Sequence, residues 1–166
     1  MSEELVRDRI PEFIQSRGGM PSYRLPRGEE EFLQFLFCRL GKEYYEYIDG
    51  ANFGELADML EVVRSLSAHF NTTITELMLL SRTDHALVAA SMTFDEGWKH
   101  FTDRLLHEMY AFIKSQRLED LGNMLGTMNA LCKRYNSNIE LLALSADGTK
   151  KLNGAFDKRY ILNLSL

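Results

Sequence analysis

The chain has 166 residues, of which 45% are hydrophobic and 26% are charged, and its formal net charge is -5. This balance is typical of a globular cytosolic protein and excludes a disordered or fibrous chain. The acidic charge argues against binding to nucleic acid polymers, which depends on a surplus of Lys and Arg. No apolar run approaches the ~18 residues of a membrane span, and the N-terminus lacks the apolar stretch of a signal peptide. We therefore expect a cytoplasmic protein that makes no membrane contact.

The first half of the chain predicts an antiparallel pair of helices. A short segment over residues 5–17 comes first, and the Pro-containing stretch 18–27 after it cannot continue a helix. Apolar residues at helical spacing then predict helices over residues 30–47 and 53–70. Asp49, Gly50 and Asn52 interrupt the pattern and favour a tight turn between them. Either Thr73 or Thr75 is expected to cap the next helix.

The second half of the chain repeats the first. The segment from Glu43 to Ile74 aligns without a gap with the segment from Glu108 to Ile139, at an offset of 65 residues. We therefore predict a tandem duplication, with a first unit over residues 1–98 and a second over residues 99–166, packed as one globular unit. The predicted fold class is all-α, a bundle of four long helices with shorter helices around it.

Four carboxylates stand out in the first unit. Glu43 and Glu46 are three residues apart on one predicted helix, and Glu55 and Asp58 are three apart on the next. Residues at this spacing share a helix face, so the tight turn would bring both pairs together, where they would repel in a partly buried setting. A cation resolves that repulsion, and oxygen ligands without His or Cys favour Mg2+ or Mn2+. The residues alone leave open the alternative of a solvated acidic helix face.

Three motifs resemble a known family. "KEYYE" followed by "ELAD" resembles the acidic signature, EExxE then ExxD, of the MazG-like all-alpha nucleoside triphosphate pyrophosphohydrolases. The opening "ELVRDRIPEFIQSRG" is similar to the "KLVRDKIPEII" start of a subgroup related to phosphoribosyl-ATP pyrophosphohydrolase. The ending "GAFDKRYIL" is similar to the "GGFEKGIFL" segment of that subgroup. Together these motifs cover most of the chain.

The resemblance implies hydrolysis of a nucleoside triphosphate between its alpha and beta phosphates, which gives the monophosphate and pyrophosphate, with Mg2+ as the cofactor. It also implies that Glu43, Glu46, Glu55 and Asp58 hold the metal. Glu43 and Glu46 are the candidate catalytic residues, and the sequence does not decide which glutamate positions the attacking water. The expected role is clearance of surplus or non-standard nucleoside triphosphates.

Three cations are candidates for substrate binding, namely Arg7, Arg9 and Lys42. The two arginines contact phosphates if the N-terminus folds back over the site, whereas the alternative is that Asp8 pairs with one of them. Lys42 stands where the family signature usually has Glu. It either contacts a phosphate or is an exposed helix lysine.

The second unit departs from the acidic signature. Only Glu108 and Asp120 remain acidic at its four equivalent positions, where Ala111 and Asn123 replace two carboxylates. We therefore expect one working metal site, with the second unit acting as its scaffold, and a homodimer of tandem chains is compatible with this. Two other functions stay open: a non-catalytic nucleotide- or partner-binding module derived from such an enzyme, and a structural helical dimerisation protein.

Overall fold

A computed structural model describes residues 2–82 and 92–164 of the chain, and within them it contains seven α-helices. The helices are α1 (Ile10–Ser16), α2 (Glu29–Gly50), α3 (Phe53–His69), α4 (Ile74–Leu80), α5 (Phe94–Ser115), α6 (Leu118–Cys132) and α7 (Ile139–Asn153), with a 3-10 turn at Lys133–Tyr135. The predominantly helical class predicted from periodicity is confirmed. Helix α7 is as long as α6, so it is a fifth long helix rather than one of the expected short ones.

Helices α2 and α3 form the predicted antiparallel pair, and each extends to within three residues of its predicted bounds. The turn between them is set by Ala51, which has left-handed backbone angles (φ 47°, ψ 38°). The Oδ1 atom of Asn52 then accepts a hydrogen bond from the backbone N–H of Glu55 at 3.0 Å, which caps α3. This turn fixes the position of Glu55 relative to the end of α2.

The following helix, α4, begins with a capping box. Thr73 accepts a hydrogen bond from the backbone N–H of Glu76, whose carboxylate accepts one from the backbone N–H of Thr73. Of the two threonines predicted as caps, Thr73 is therefore the one that is used.

Two helical pairs share one hydrophobic core. Helix α2 packs against α3, and α5 packs against α6, while α3 also contacts α7 and α4 contacts α6. The core includes Leu36 and Leu60 of the first pair together with Leu105 and Leu125 of the second, all fully buried. The predicted boundary at residue 98 falls inside α5, the helix that packs against α6.

Left-handed residues recur along the chain at the same offset as the sequence repeat. Ala51 and Gln116 end the first helix of each pair, with φ of 47° and 53°. Asn71 and Asn136 follow the second helix of each pair, with φ of 54° and 52°. Residues other than glycine seldom adopt this conformation, so the two helical pairs share an uncommon pattern of turns.

A small antiparallel sheet joins the two ends of the described chain, and the all-α prediction lacked it. Its strands are β1 (Glu3–Leu5), β2 (Tyr23–Arg24) and β3 (Ile161–Asn163), in the order β1-β3-β2. The pairing continues beyond β1, since the backbone N–H of Asp8 donates to the Ala155 carbonyl at 2.8 Å. We call residues 3–9 and 153–163 together the terminal clasp.

None of the described helices combines the length and hydrophobicity that a membrane span requires. Of the two cysteines, Cys132 is buried and Cys38 is exposed.

Candidate metal centre

Three of the four predicted carboxylates converge at the α2–α3 hairpin. One oxygen from each of Glu43, Glu55 and Asp58 can be chosen so that all three lie within 4.8 Å of one another. Helix α2 supplies Glu43, and the first two turns of α3 supply Glu55 and Asp58. The capped turn between the helices therefore brings Glu43 close to Glu55 and Asp58.

Glu46, the fourth predicted ligand, lies at the rim of this cluster. Its side chain is 44% exposed, and its Oε1 atom is 3.7 Å from Lys42 Nζ. It is still close enough for its negative charge to raise the pKa of both Glu43 and Asp58. Glu46 thus contributes to the acidic field without belonging to the compact group of three.

Glu43 is the most buried carboxylate of the cluster, with 1% of its side chain exposed. Its Oε1 atom lies 2.5 Å from Arg39 Nη2, but the contact lacks hydrogen-bond geometry, so this oxygen has no hydrogen-bond partner. Burial raises the Glu43 pKa to about 7, with Asp58 and Glu46 adding to the rise and Arg39 opposing it. The Arg39 guanidinium is therefore the counter-ion of a buried carboxylate that also has two acidic neighbours.

Arg7 enters the cluster from the terminal clasp. Its Nη2 atom is 2.6 Å from Asp58 Oδ1, its Nη1 atom is 4.0 Å from Glu61 Oε2, and its guanidinium stacks over the Phe156 ring. Burial raises the Asp58 pKa, and the Arg7 charge opposes that rise. The N-terminus does fold back to the site, which was the condition for a role of Arg7 there, and Arg7 lies beside Asp58.

Asp8 makes a different contact from the one considered in the sequence. Its carboxylate accepts backbone N–H bonds from Lys158 at 2.8 Å and Asp157 at 3.3 Å. Asp8 therefore closes the terminal clasp instead of pairing with a neighbouring arginine.

The structure places the other two candidate cations outside the group of three. Arg9 donates to the Lys151 carbonyl at 3.1 Å and lies 3.8 Å from Glu12. Lys42 Nζ lies 2.6 Å from Glu4, on the same side of α2 as Glu46. Lys42 is thus a rim residue, and Arg9 supports the clasp.

Sequence reasoning missed two charged residues of the site. Arg39, one helical turn before Glu43, forms ion pairs with both Glu43 and Glu4. Glu61, three residues after Asp58, is buried and lies 2.5 Å from Arg64. The available signals were the spacing of four residues from Arg39 to Glu43 and of three residues from Asp58 to Glu61, which place each pair on one helix face.

The second unit holds a cleft at the equivalent position. It is lined by Arg104, His107, Glu108, Ala111, Asp120 and Asn123. Both of its carboxylates have close partners: Glu108 accepts from Arg104 at 2.8 Å and from Thr127 at 2.5 Å, and Asp120 pairs with Arg117. Thr127 was not singled out in the sequence, yet its hydroxyl donates to one oxygen of Glu108 while Arg104, at the position equivalent to Arg39, donates to the other.

The group of three fits a hard divalent cation. All its donors are carboxylate oxygens, which suit Mg2+ or Mn2+. Ligands of one octahedral ion at ~2.1 Å are roughly 3–4 Å apart, so small side-chain shifts would bring oxygens now within 4.8 Å to that spacing. The Glu43 Oε1 atom accepts no hydrogen bond and has the Arg39 guanidinium as its ion-pair partner, so a metal bound there would share this oxygen with Arg39.

Comparisons of the chain with protein-family models, with curated proteins and with solved structures found no match.

Proposed function

We propose that this protein is a metal-dependent nucleoside triphosphate pyrophosphohydrolase that releases a nucleoside monophosphate and pyrophosphate, with removal of surplus or non-standard nucleotides as its role. One observation carries the proposal: a carboxylate oxygen from each of Glu43, Glu55 and Asp58 lies within 4.8 Å of the other two, although Glu43 is buried. The motifs that resemble the MazG-like family meet at the same place, because Arg7 of the opening motif pairs with Asp58 and stacks over Phe156 of the ending motif.

In this proposal each residue of the site has a role that follows from its position. Glu43, Glu55 and Asp58 hold Mg2+ or Mn2+, which when bound supplies charge neutralisation of phosphate oxygens and a more acidic water. Glu46 is exposed at the rim, so it is placed to orient or deprotonate the attacking water. Lys42 extends beside Glu46, where it can contact a phosphate group.

Arg7 and Arg39 act as counter-ions of the cluster. They are paired with Asp58 and Glu43 respectively, so they limit repulsion among carboxylates that the fold forces together. When a triphosphate binds, its oxygens offer these guanidiniums an alternative forked partner.

We further propose that the chain arose by tandem duplication and retains one working site, within MazG-like architecture. Three observations share an offset of 65 residues and support this. They are the sequence repeat, the left-handed residues at the turns, and the residues that line the second cleft. Tyr45 and Tyr110, which are also related by this offset, hydrogen-bond to each other.

The nearest rival is a non-catalytic nucleotide- or partner-binding module. Arg7 and Arg39 favour it, because they already neutralise part of the cluster without a metal. The two functions differ for Glu46→Gln. An enzyme should lose turnover with this variant, whereas a binding module should keep its affinity for nucleotides.

The test is incubation of the protein with a panel of nucleoside triphosphates at several Mg2+ and Mn2+ concentrations, with chromatographic separation of the products. We expect equal amounts of monophosphate and pyrophosphate from at least one triphosphate. The absence of monophosphate from every triphosphate, or release of orthophosphate and diphosphate instead, would overturn the proposal.

A matched pair of variants assigns the activity to the first unit. Glu43→Gln should abolish pyrophosphate release, and Glu108→Gln, the same change at the equivalent position, should retain it. Circular dichroism verifies that both variants are folded. Equal loss of activity in the two folded variants would contradict a single working site.

A further inference from the structure

Helix α7 has an unpartnered apolar face. Its inner face, with Ile139, Leu142 and Ala146, is buried against the core. On the opposite side Leu141, Leu144 and Leu152 are 48%, 65% and 66% exposed. Large leucine surfaces gathered on one helix face are uncommon on a surface that meets only water.

These leucines form a continuous stripe with Gly148. The spacings from Leu141 through Leu144 and Gly148 to Leu152 are three, four and four residues, which keep all four on one helix face. No atom lies within 4 Å of the position that a Gly148 side chain would take. Since glycine in a helix interior is destabilising relative to alanine, Gly148 does not benefit the isolated helix. It does leave a gap beside Leu144 into which another side chain could fit. We call these four residues the outer stripe.

The charges beside the outer stripe indicate which partner fits. Three exposed charged residues lie along one edge of the stripe, namely Glu140, Asp147 and Lys151. Asp147 is already paired with Arg64 at 2.8 Å, and Glu140 and Lys151 lie about three helical turns apart. Two copies of α7 packed antiparallel about a two-fold axis bring the same edges together. Glu140 of each copy then lies near Lys151 of the other, and Leu144 lies against Gly148. A parallel pair would instead place this charged edge against the uncharged edge with Ser145 and Thr149.

We propose that the outer stripe is a homodimer interface, in which α7 packs antiparallel against α7 of a second copy of this chain. The leucines exclude water, and the paired charges set the direction. This interface lies outside the metal cluster, so the proposal does not depend on the proposed catalytic function.

The first experiment is analytical ultracentrifugation of the full chain over a wide range of protein concentrations. We expect the wild type to associate toward twice its 19.1 kDa monomer mass, and Leu144→Glu to raise the dissociation constant at least tenfold. Leu79→Glu is the matched control, because Leu79 is an 82% exposed leucine on α4. A wild type that stays monomeric, or a dimer weakened equally by both variants, would overturn the proposal.

A charge exchange tests the antiparallel direction. Glu140→Lys alone should weaken the dimer by placing two cations together, and Lys151→Glu alone should weaken it by placing two anions together. The double variant should restore association to near the wild-type level. Single variants with unchanged association, or a double variant weaker than either single one, would exclude this arrangement.

Discussion

Glu43 combines burial, three charged neighbours and an oxygen without a hydrogen-bond partner. Its pKa in the folded protein is raised to about 7 from 4.5, so the folded state holds this proton more tightly than the unfolded chain does. The corresponding stability is fully present below the unfolded pKa and is lost as the pH rises through about 7. Without metal, deprotonation of Glu43 should therefore destabilise the protein in the neutral range.

Glu43→Gln should remove this pH dependence. We consider the free energy of unfolding of the variant minus that of wild type, with both proteins free of divalent cations. This difference should rise by about 2–3 kcal/mol between about pH 5 and pH 8. Urea denaturation at several pH values measures it. A difference that stays constant with pH would show that Glu43 does not carry the effect.

Arg7 is the second residue of the site whose contribution to stability can be measured. It is buried between Asp58 and Glu61, so Arg7→Met leaves two carboxylates without this cation. We expect a loss of about 3 kcal/mol or more of unfolding free energy in the absence of metal, and partial recovery with Mg2+. Thermal unfolding with and without Mg2+ measures both.

Arg9→Met is the control, because Arg9 is exposed and contacts Glu12 and a backbone carbonyl. Its effect should stay below about 1 kcal/mol. Equal losses for the two variants would mean that Arg7 stabilises only the clasp.

At the scale of elements, periodicity predicted α2 and α3 well because each buries one continuous apolar stripe. Those two helices and their short turn also sufficed to predict the meeting of Glu43, Glu55 and Asp58. Glu46 was predicted less well, since it lies far enough around the face of α2 to remain at the rim.

The terminal clasp could not be read from the same signals. Strands of two or three residues have too little alternation to detect, and β1 pairs with a strand at the other end of the chain. The ion pair between Arg7 and Asp58 depends on that pairing, so it is a long-range consequence of the fold. The family resemblance in both end motifs was the only indication that they belong together.

Gly154 occupies a position in the terminal clasp where a side chain does not fit. It has φ of 82°, and an added Cβ would lie 2.8 Å from Asp8 Cβ and 3.0 Å from the Arg9 nitrogen. Gly154→Ala should lower the free energy of unfolding by about 2 kcal/mol and speed hydrogen exchange of the Asp8 amide. Denaturant titration and exchange measured by NMR provide the two readings.

Gly41→Ala is the matched glycine control. Gly41 lies within α2 with no atom within 4 Å of the added Cβ, so the change should stabilise by up to about 1 kcal/mol. If Gly154→Ala were tolerated as well as Gly41→Ala, the clasp would not be under the constraint described.

At the scale of the whole molecule, the two units differ in how their buried carboxylates are satisfied. Glu43 keeps an oxygen without a hydrogen-bond partner, whereas Glu108 has both Arg104 and Thr127 as donors. The sequence predicted the loss of carboxylates in the second unit, but not that a threonine hydroxyl donates a hydrogen bond to the remaining Glu108. Thr127 occupies the position equivalent to Val62 in the first unit. A single difference between Val and Thr in the sequence does not indicate that the hydroxyl is buried.

Restoring the missing groups should recreate a second metal site. The triple variant Ala111→Glu, Asn123→Asp, Thr127→Val gives the second cleft carboxylates at all four equivalent positions, with Asp120 in place of Glu55. The number of Mn2+ ions bound at saturation should therefore double. Free Mn2+ measured by electron paramagnetic resonance gives this number. An unchanged number in a folded variant would show that the two clefts are not equivalent.

The most direct test of the centre itself is Mn2+ titration of wild type beside Asp58→Asn and Asp120→Asn, which change one acidic residue in each cleft. The proposed centre predicts saturable binding in wild type and in Asp120→Asn, and its loss in folded Asp58→Asn. Absence of saturable binding in wild type, or equal binding in all three proteins, would contradict a metal centre at Glu43, Glu55 and Asp58.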